Sequence, residues 1–410
     1  MMNSSMTPMD ISSPPIIDIE DLGLDQGALL LVRQALADLP AGAGLRVRGC
    51  APEWDLHLQA WCRAQGHALQ WLEAGAEALV HRHEQAAGRW LGAHSTGHAD
   101  RHAPQALAEQ ADPRWGLAAR GAQVEAGSPA FAFALRQRSQ LWAETAGTLY
   151  AQAVAAQWDP NTAIDWTAPL PTDPAIEQAV VQLMTYLIEN ENAALLVPAR
   201  HLGQVHPHFR EVVQLLALQC ADEARHVEVF TRRLRLGGGE PGLSTAGGQA
   251  SLKTLFDAPD FSTATFLLSV LGEGTFVNLL NFLHEHAPDP VTRQIARLAA
   301  VDEARHVAFG MAHLEYRLSV EPEYQTRLAL AVEHRHEELA GTAGLNEEVF
   351  DALTVLAGGG TSVAAVRLGF KRVQALKLEM AAGRRARLQR LGFGRDHARR
   401  LADLHTRNFM

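Results

Sequence analysis

A five-residue sequence that occurs twice could supply part of a metal site. Residues 222–226 read Asp-Glu-Ala-Arg-His, and residues 302–306 repeat this sequence letter for letter. Each copy lies in a segment whose apolar spacing predicts a long helix. On a helix, Glu and His three residues apart project from one face, so each copy can present one carboxylate and one imidazole to the same ion. Two such helices facing each other would form half of a dinuclear site.

Two further carboxylates, one from each of two other helices, are needed to complete such a site. Before the second repeat, Glu273 is the single choice, and it shares an apolar helix face on which an unpaired carboxylate would be costly. Before the first repeat, Glu191 and Glu189 are both available and point to different faces. Glu191 shares its face with apolar residues and is preferred, with Glu189 as the alternative. The predicted ligands are Glu191, Glu223, His226, Glu273, Glu303 and His306.

Each repeat also carries residues that can support the ligands. Asp222 and Asp302 each precede a ligand Glu, where they could accept the free N–H of the ligating His of the opposite hairpin. Arg225 and Arg305 could neutralise these aspartates. One copy alone would be compatible with a salt-bridged helix surface. Two identical copies, each preceded by a Glu on an apolar face, favour the metal site.

The ligand types indicate which metal the site would hold. Four ionised carboxylates in an apolar bundle would repel one another, and two divalent ions would cancel their charge. A mixed oxygen and nitrogen ligand set with open positions suits iron that reacts with dioxygen. Two iron ions are therefore predicted, with manganese or a mixed Fe/Mn pair as alternatives.

On these residues, the segment 130–320 resembles the ferritin-like di-iron carboxylate superfamily. Oxygen-activating members, such as the bacterial multicomponent monooxygenases and arylamine oxygenases, carry the form Asp-Glu-x-Arg-His. The resemblance implies an all-α four-helix bundle that acts with O2 on a small organic substrate. Members of the superfamily hydroxylate, N-oxygenate, desaturate, generate radicals or store iron. Because the sequence shows no flavin, nicotinamide or iron–sulfur signature, an external electron donor is expected.

The N-terminal segment 15–85 predicts a small α/β unit with the element order βαβαββ. Its stretch from Leu45 to Leu69, which contains Cys50 and Cys62, resembles the second half of the TusA-like sulfur-carrier family. That family carries a Cys-Pro-x-Pro nucleophile after its first strand, where this chain has residues 21–26 without a thiol. Persulfide transfer needs a thiolate, so a docking or structural role is expected instead.

The remaining segments complete a multidomain organisation. Residues 86–129, rich in Ala, Gly and His, are expected to form a linker, followed by a helix over residues 131–158. Residues 321–410 predict further helices that cover the bundle or form a subunit contact, such as a homodimer interface. Starts of the four bundle helices are predicted at Asp173-Pro174, Pro207, Asp260 or Ser262, and Asp289-Pro290.

Two other histidine positions call for an interpretation. His313 lies seven residues after His306 and is expected to be a hydrogen-bonded core residue rather than a seventh ligand. Residues 333–336 form a third Glu-x-x-His in a charged segment without a preceding Asp, and they are interpreted as a solvated helix face.

Composition and charge limit the location and the partners of the protein. The chain has 410 residues, 47% of them apolar and 20% charged, without a charge-free apolar run of transmembrane length or a recognisable export signal. A cytoplasmic protein without a membrane partner is expected, and three cysteines do not make a disulfide framework. Although the net charge is −10, residues 361–410 are basic. These basic helices are expected to pack on the acidic body, and an RNA partner is the alternative.

The favoured function is therefore an oxygen-dependent di-iron oxidoreductase, an oxygenase, hydroxylase or oxidase acting on a small organic molecule. One alternative is a tRNA-modifying di-iron hydroxylase, suggested by the basic C-terminal segment and by the sulfur-carrier resemblance. The other is a non-catalytic protein that handles iron or uses the metal as a scaffold.

Overall fold

The computed structural model describes residues 13–83, 92–340 and 347–406. They form two compact units. The first comprises the described residues up to Ser95 together with Ala122–Ser128, and the second comprises Thr96–Gly121 and the described residues from Pro129 onward.

The first unit contains a four-stranded mixed sheet and two helices. Strand β1 is parallel to β2, and β4 is antiparallel to both of its neighbours in the sheet order β1-β2-β4-β3. Leu45 and Val47 of β2 are buried, whereas Arg46 and Arg48 between and after them pair with Glu77. This alternation is what a sheet with one covered face requires. The elements are β1 Ile16–Asp18, α1 Ala28–Ala37, β2 Gly44–Arg48, α2 Trp54–Gln65, β3 Ala68–Glu73 and β4 Glu77–His81, followed by a two-stranded ribbon of β5 His94–Ser95 and β6 Gln123–Val124.

The second unit begins with an irregular segment rather than a long helix. The helix predicted over residues 131–158 is wrong for its first half, because only α3, Ala146–Ala155, is a regular helix there. Upstream, Leu135 makes two backbone hydrogen bonds, to Gln204 and His206, which hold this stretch extended. Residues 96–121, part of the predicted linker, belong to this unit.

Four long helical segments form the bundle. Asp173, Asp260 and Asp289 accept hydrogen bonds from the first-turn backbone N–H groups of the first, third and fourth segments, and these helix starts are confirmed. After the short α4, Pro160–Ala163, the bundle comprises α5 Pro174–Leu202, α6 Arg210–Leu236, a third segment Phe261–His286 and α10 Pro290–Val320, with α7 Ala246–Phe256 between the second and third. The third segment consists of α8 Phe261–Thr265, a π-helical stretch Phe266–Glu273 and α9 Gly274–His286.

The C-terminal helices pack onto this bundle. Helix α12 contacts α5, α13 contacts α9, and α11 contacts α7. Buried apolar residues such as Leu353 and Val373 join the bundle core at these contacts. These helices are α11 Tyr324–Ala340, α12 Glu347–Gly358, α13 Val363–Arg390 and α14 Arg395–Thr406.

Two stretches of the described chain pass a length and hydropathy test for crossing a membrane. The first is the third bundle segment, Phe261–His286, and 78% of its apolar window is buried inside the protein. The second is the pair α12 and α13, which is bent by 111° at the break between them. A mostly buried apolar helix is what the core of a four-helix bundle requires.

Candidate metal centre

The four bundle segments bring all six predicted ligands together in the protein interior. None of their side chains is more than 3% exposed. Helix α5 supplies Glu191, α6 supplies Glu223 and His226, the third segment supplies Glu273, and α10 supplies Glu303 and His306.

The six residues form two overlapping groups, each able to surround one ion. In each group, one potential ligand atom from every residue lies within 4.8 Å of those of the others. Glu223 and Glu303 belong to both groups, so their carboxylates are placed to bridge two ions. The first group is Glu191, Glu223, His226 and Glu303, and the second is Glu223, Glu273, Glu303 and His306.

Each imidazole is oriented by an aspartate of the opposite hairpin. His226 Nε2 lies 3.2 Å from Asp302 Oδ2, and His306 Nε2 lies 3.4 Å from Asp222 Oδ2. On the other side of the rings, the Nδ1 atoms of His226 and His306 lie 3.2 Å and 3.0 Å from the carboxylate oxygens of Glu223. When Nε2–H donates to the aspartate, the lone pair of Nδ1 points at the carboxylate cluster, as a metal ligand requires.

Arg225 and Arg305 hold these aspartates in place. Arg225 Nη2 donates to Asp302 at 2.8 Å and also to Asp222, and Arg305 donates to Asp302. With neutral imidazoles, the four glutamates and two aspartates carry six negative charges and the two arginines carry two positive ones. Two divalent ions would cancel the remaining four negative charges.

The electrostatics of the protein atoms alone show how strongly this cluster needs a cation. Burial, and then the charge of Glu223, raise the pKa of Glu191 well above its ordinary value. Burial and the charge of Glu303 do the same to the pKa of Glu273. Burial by itself would lower the pKa of His226, but the charge of Glu191 raises it well above the ordinary range. Without bound cations, these raised pKa values favour the protonated forms of these groups, as expected of a buried cluster whose charge metal ions would balance.

Several buried ligand atoms have no hydrogen-bond partner among the described residues. They include both oxygens of Glu303 and one oxygen each of Glu191, Glu223 and Glu273. Unpaired carboxylate oxygens are rare in protein interiors because their desolvation is not compensated. These oxygens converge on one another, so the residues fit a pair of bound cations.

Glu273 stands at the end of a π-helical stretch that sequence reasoning missed. Gly274 N–H donates to Ser269 O, five residues back, and so widens the helical turn just before Glu273. Arg387 of α13 donates from Nε to Val270 O at 2.7 Å within the same stretch. A Cβ on Gly274 would lie 2.5 Å from the Arg387 guanidinium, so a larger residue at this position would displace the Arg387 side chain. The Gly-Glu-Gly sequence around Glu273 was the available signal.

Trp158 also contacts the metal-centre residues, and no feature of the sequence indicated this. Its Nε1–H donates to Asp302 Oδ2 at 2.8 Å, and its ring stacks on His226 at a centroid distance of 6.5 Å. The Arg225 guanidinium lies 4.5 Å from the same ring. Since Trp158 is 144 residues from Asp302 in the chain, no local pattern could have predicted the contact.

A small cavity of about 20 Å³ adjoins the ligands. Glu191, Glu273 and Glu303 line one side, and the apolar side chains of Leu268 and Phe276 are among those that line the rest. This volume holds a water molecule or a similarly small one. The space therefore lies against residues of both ligand groups.

Comparisons with known proteins give limited information about the chain. No family model matches it, and no curated protein matches it. An R2-like ligand-binding oxidase reconstituted with an Mn/Fe cofactor has a similar structure, with a TM-score of 0.47, 19% identity, and coverage of 62% of this chain and 95% of that chain. A Synechococcus protein with aldehyde deformylating oxidase activity has a TM-score of 0.41 and 18% identity, with coverage of 58% and 98%. Because these TM-scores and sequence identities are low, the similarities carry no argument about the metal centre. Its assignment depends on the geometry of its own residues.

The other residues considered from the sequence lie outside the cluster. Glu189 is partly exposed and belongs to neither group. His313 is buried and bonded to Ser262 and to the carbonyl of Trp142, which confirms its role as a core residue. The interpretation of residues 333–336 as a solvated face is wrong for Arg335, which is 5% exposed.

Proposed function

We propose that the protein is an oxygen-dependent oxidoreductase that holds two iron ions and oxidises or hydroxylates a small organic molecule. The observation that carries the proposal is the pair of overlapping ligand groups, in which Glu223 and Glu303 are shared and the carboxylate oxygens lack other partners. Manganese, alone or paired with iron, is the alternative metal content. The bound ions would supply redox chemistry with O2, which the side chains of the site cannot perform.

The residues of the chain would bind, orient and enclose the reactants. Glu191 and Glu273 would each hold one ion, while Glu223 and Glu303 would join the two. Asp222 and Asp302 would fix the imidazoles through their Nε2–H groups. The buried site would exclude bulk water, and the small cavity would admit O2 beside the ligands. Electrons would come from an external donor.

The first unit would serve this oxidoreductase as a docking or structural module. Its resemblance to a sulfur carrier without the nucleophilic thiol supports a binding role rather than sulfur transfer. We place the whole protein in the cytoplasm.

Iron stoichiometry provides the first test of the proposed function. Anaerobic reconstitution with ferrous iron should give about two irons per chain, the number that the two ligand groups require. The variants Glu223→Ala and Glu303→Ala should each bind at most about half of that, because each removes a bridge. Glu228→Ala, exposed on the same helix as Glu223, is the matched control and should bind the full amount. Iron content is measured after desalting.

Oxygen uptake then separates catalysis from iron handling. The reconstituted protein, given an artificial reductant, should consume O2 and change its optical spectrum, and Glu223→Ala should not. Iron accumulation well beyond two per chain would support storage and contradict the proposal. Full iron uptake by both bridge variants would also contradict it.

A further inference from the structure

Gln219 of α6 is a buried amide that contacts one of the metal-ligand candidates. Its side chain is 3% exposed, and its Nε2 donates a hydrogen bond to Glu273 Oε1 at 3.2 Å. The other oxygen, Glu273 Oε2, has no hydrogen-bond partner among the described residues. Because an ionised carboxylate can only accept hydrogen bonds, the amide N–H group is the donor whenever Glu273 is charged. The contact therefore holds one oxygen of Glu273 and leaves the other for an ion.

A second polar group acts on the same carboxylate. Ser269 lies four residues before Glu273 in the π-helical stretch and is 3% exposed. Burial and the charge of Glu303 raise the pKa of Glu273, and hydrogen bonding by the Ser269 hydroxyl opposes this rise. Glu273 is thus approached by polar groups from two directions, one on its own segment and one on α6.

The repeat provides an internal comparison for Gln219. Gln219 lies four residues before Glu223, and the residue four before Glu303 is Ala299. Ala299 is fully buried, and its methyl group cannot donate a hydrogen bond. The two copies of Asp-Glu-Ala-Arg-His are identical, but the residues one helical turn before them are not.

Glu191 and Glu273, which each belong to only one ligand group, show the same difference. The residue four before Glu191 is Leu187, a fully buried apolar residue at the place that Ser269 takes before Glu273. Glu191 Oε1 has no hydrogen-bond partner in the described part of the chain, and Oε2 lies 3.6 Å from His226 Nδ1. The two ion positions therefore have the same ligand types in different surroundings.

We propose that Gln219, assisted by Ser269, is a positioning residue for Glu273, and that it makes the ion position of the second group the first to fill. The inference rests on the metal centre of the proposed function and distinguishes its two positions. A ligand that is already held in its binding orientation loses less conformational freedom when the ion binds. Removal of such a supporting hydrogen bond typically lowers metal affinity about 10- to 100-fold. The second group should bind its ion more tightly than the first group by about this factor.

Calorimetric titration of the full-length, metal-free protein with Mn(II) under anaerobic conditions tests the order of filling. Two binding steps are expected even for equivalent positions, because the first bound ion repels the second. The variants Glu191→Gln and Glu273→Gln separate these cases, since each removes one negative charge from the cluster. Glu273→Gln should weaken the first step at least about tenfold more than Glu191→Gln does, because it alone removes a ligand of the position that fills first.

The variant Gln219→Met then tests which residue is responsible. It should weaken the first step about tenfold or more and change the second step little, because the two positions become alike. Ser269→Ala should weaken the first step in the same direction by a smaller factor. Gln214→Met, exposed on the same helix, is the matched control and should titrate like the native protein. Urea unfolding of each metal-free variant is measured in parallel, since a general loss of stability would weaken both steps.

Three results would overturn the inference in a protein that binds two Mn(II) ions. The two glutamate variants could weaken the first step equally, Glu191→Gln could weaken it more, or Gln219→Met could leave it unchanged or weaken both steps alike. If Gln219→Met does not fold, Ser269→Ala decides, and an unchanged first step there would contradict the inference. Each of these results leaves the proposed function intact. Failure of the native protein to bind two ions would instead contradict the metal centre, and the inference with it.

Discussion

Glu189 and Glu191 show how the surroundings of a side chain decide its role. Both are carboxylates on α5, two residues apart, and therefore on different faces of the helix. Glu191 is 1% exposed, and its carboxylate lies beside His226 and the carboxylates that both ligand groups share. Glu189 is partly exposed and has no ligand atom in either group. The apolar residues that share the face of Glu191 thus indicated the side that points into the bundle.

We expect substitution at these two positions to have opposite outcomes. Glu191→Gln should reduce the metal content from about two ions per chain to about one, because a neutral amide neither balances charge nor binds iron strongly. Glu189→Gln should keep both ions and serves as the matched control. Metal content is measured by elemental analysis after anaerobic loading. An equal loss of metal in both variants, or a loss in Glu189→Gln alone, would show that Glu191 is not the ligand that α5 supplies.

The ligands could be predicted because the residues that form each half of the site lie close together in the sequence. Glu and His three residues apart have one geometric meaning on a helix, and the apolar faces around Glu191 and Glu273 were visible in the sequence. The contacts of Trp158 with Asp302 and of Arg335 with Ser251 could not be predicted in this way. Each depends on a partner more than 80 residues away, and no spacing rule connects such positions.

At the scale of the elements, one buried arginine connects three helix ends. Arg233, near the end of α6, is fully buried and donates to Glu177 in the first turn of α5. It also donates to Asp289, the N-cap of α10, and to Thr292 one turn later. The C-terminus of α6, the negative end of its dipole, meets the N-termini of α5 and α10, the positive ends of theirs. The charges of Arg233 and of the two acids are therefore opposite to the nearby helix dipole ends and stabilise them.

Removal of this arginine should destabilise the bundle without touching the metal ligands. We expect Arg233→Met to lower the free energy of unfolding by about 3–5 kcal/mol, because it leaves Asp289 buried and unpaired. Arg235→Met, exposed on the same helix, is the control and should change it by less than about 0.5 kcal/mol. Urea denaturation of the metal-free proteins measures both. A loss below 1 kcal/mol for Arg233→Met would show that the network adds little.

The element boundaries divide into those set by local chemistry and those set by tertiary contacts. Asp-Pro pairs cap helices wherever they occur, so the starts of α5 and α10 could be predicted from the sequence. Residues 131–145 have helix-compatible composition, but the backbone bonds of Leu135 to the α5–α6 turn override it. The π-helical stretch likewise accepts a tertiary hydrogen bond, at Val270 O, from Arg387 of the distant helix α13. Such contacts can override intrinsic helix propensity, because the propensity contributes only a small free energy per residue.

At the scale of the whole molecule, buried histidines link the fold to pH. His201, His208 and His313 belong to different parts of the second unit, and burial lowers the pKa of each from 6.5 to about 4. His313 is fully buried, with Nδ1–H donating to Trp142 O and Nε2 accepting from the Ser262 hydroxyl. Burial disfavours the charged imidazolium, and the positive charge of Arg317 adds to this effect, so protonation opposes the folded state.

The sign and size of this effect follow from proton linkage. Between pH 6.5 and 4 the unfolded chain binds a proton at His313 that the folded chain does not, so stability is complete above pH 6.5 and is lost as the pH falls. The shift from 6.5 to about 4 corresponds to about 3 kcal/mol at this one residue.

The variant His313→Gln tests this linkage in metal-free protein, where metal release cannot contribute. It should lose less stability between pH 7 and pH 4.5 than the native chain. Urea unfolding at both pH values measures the difference, and His284→Gln, partly exposed on α9, should behave like the native protein. An identical pH dependence in His313→Gln and the native chain would show that His313 becomes protonated inside the fold without cost, through rearrangement of Ser262 and the Trp142 carbonyl.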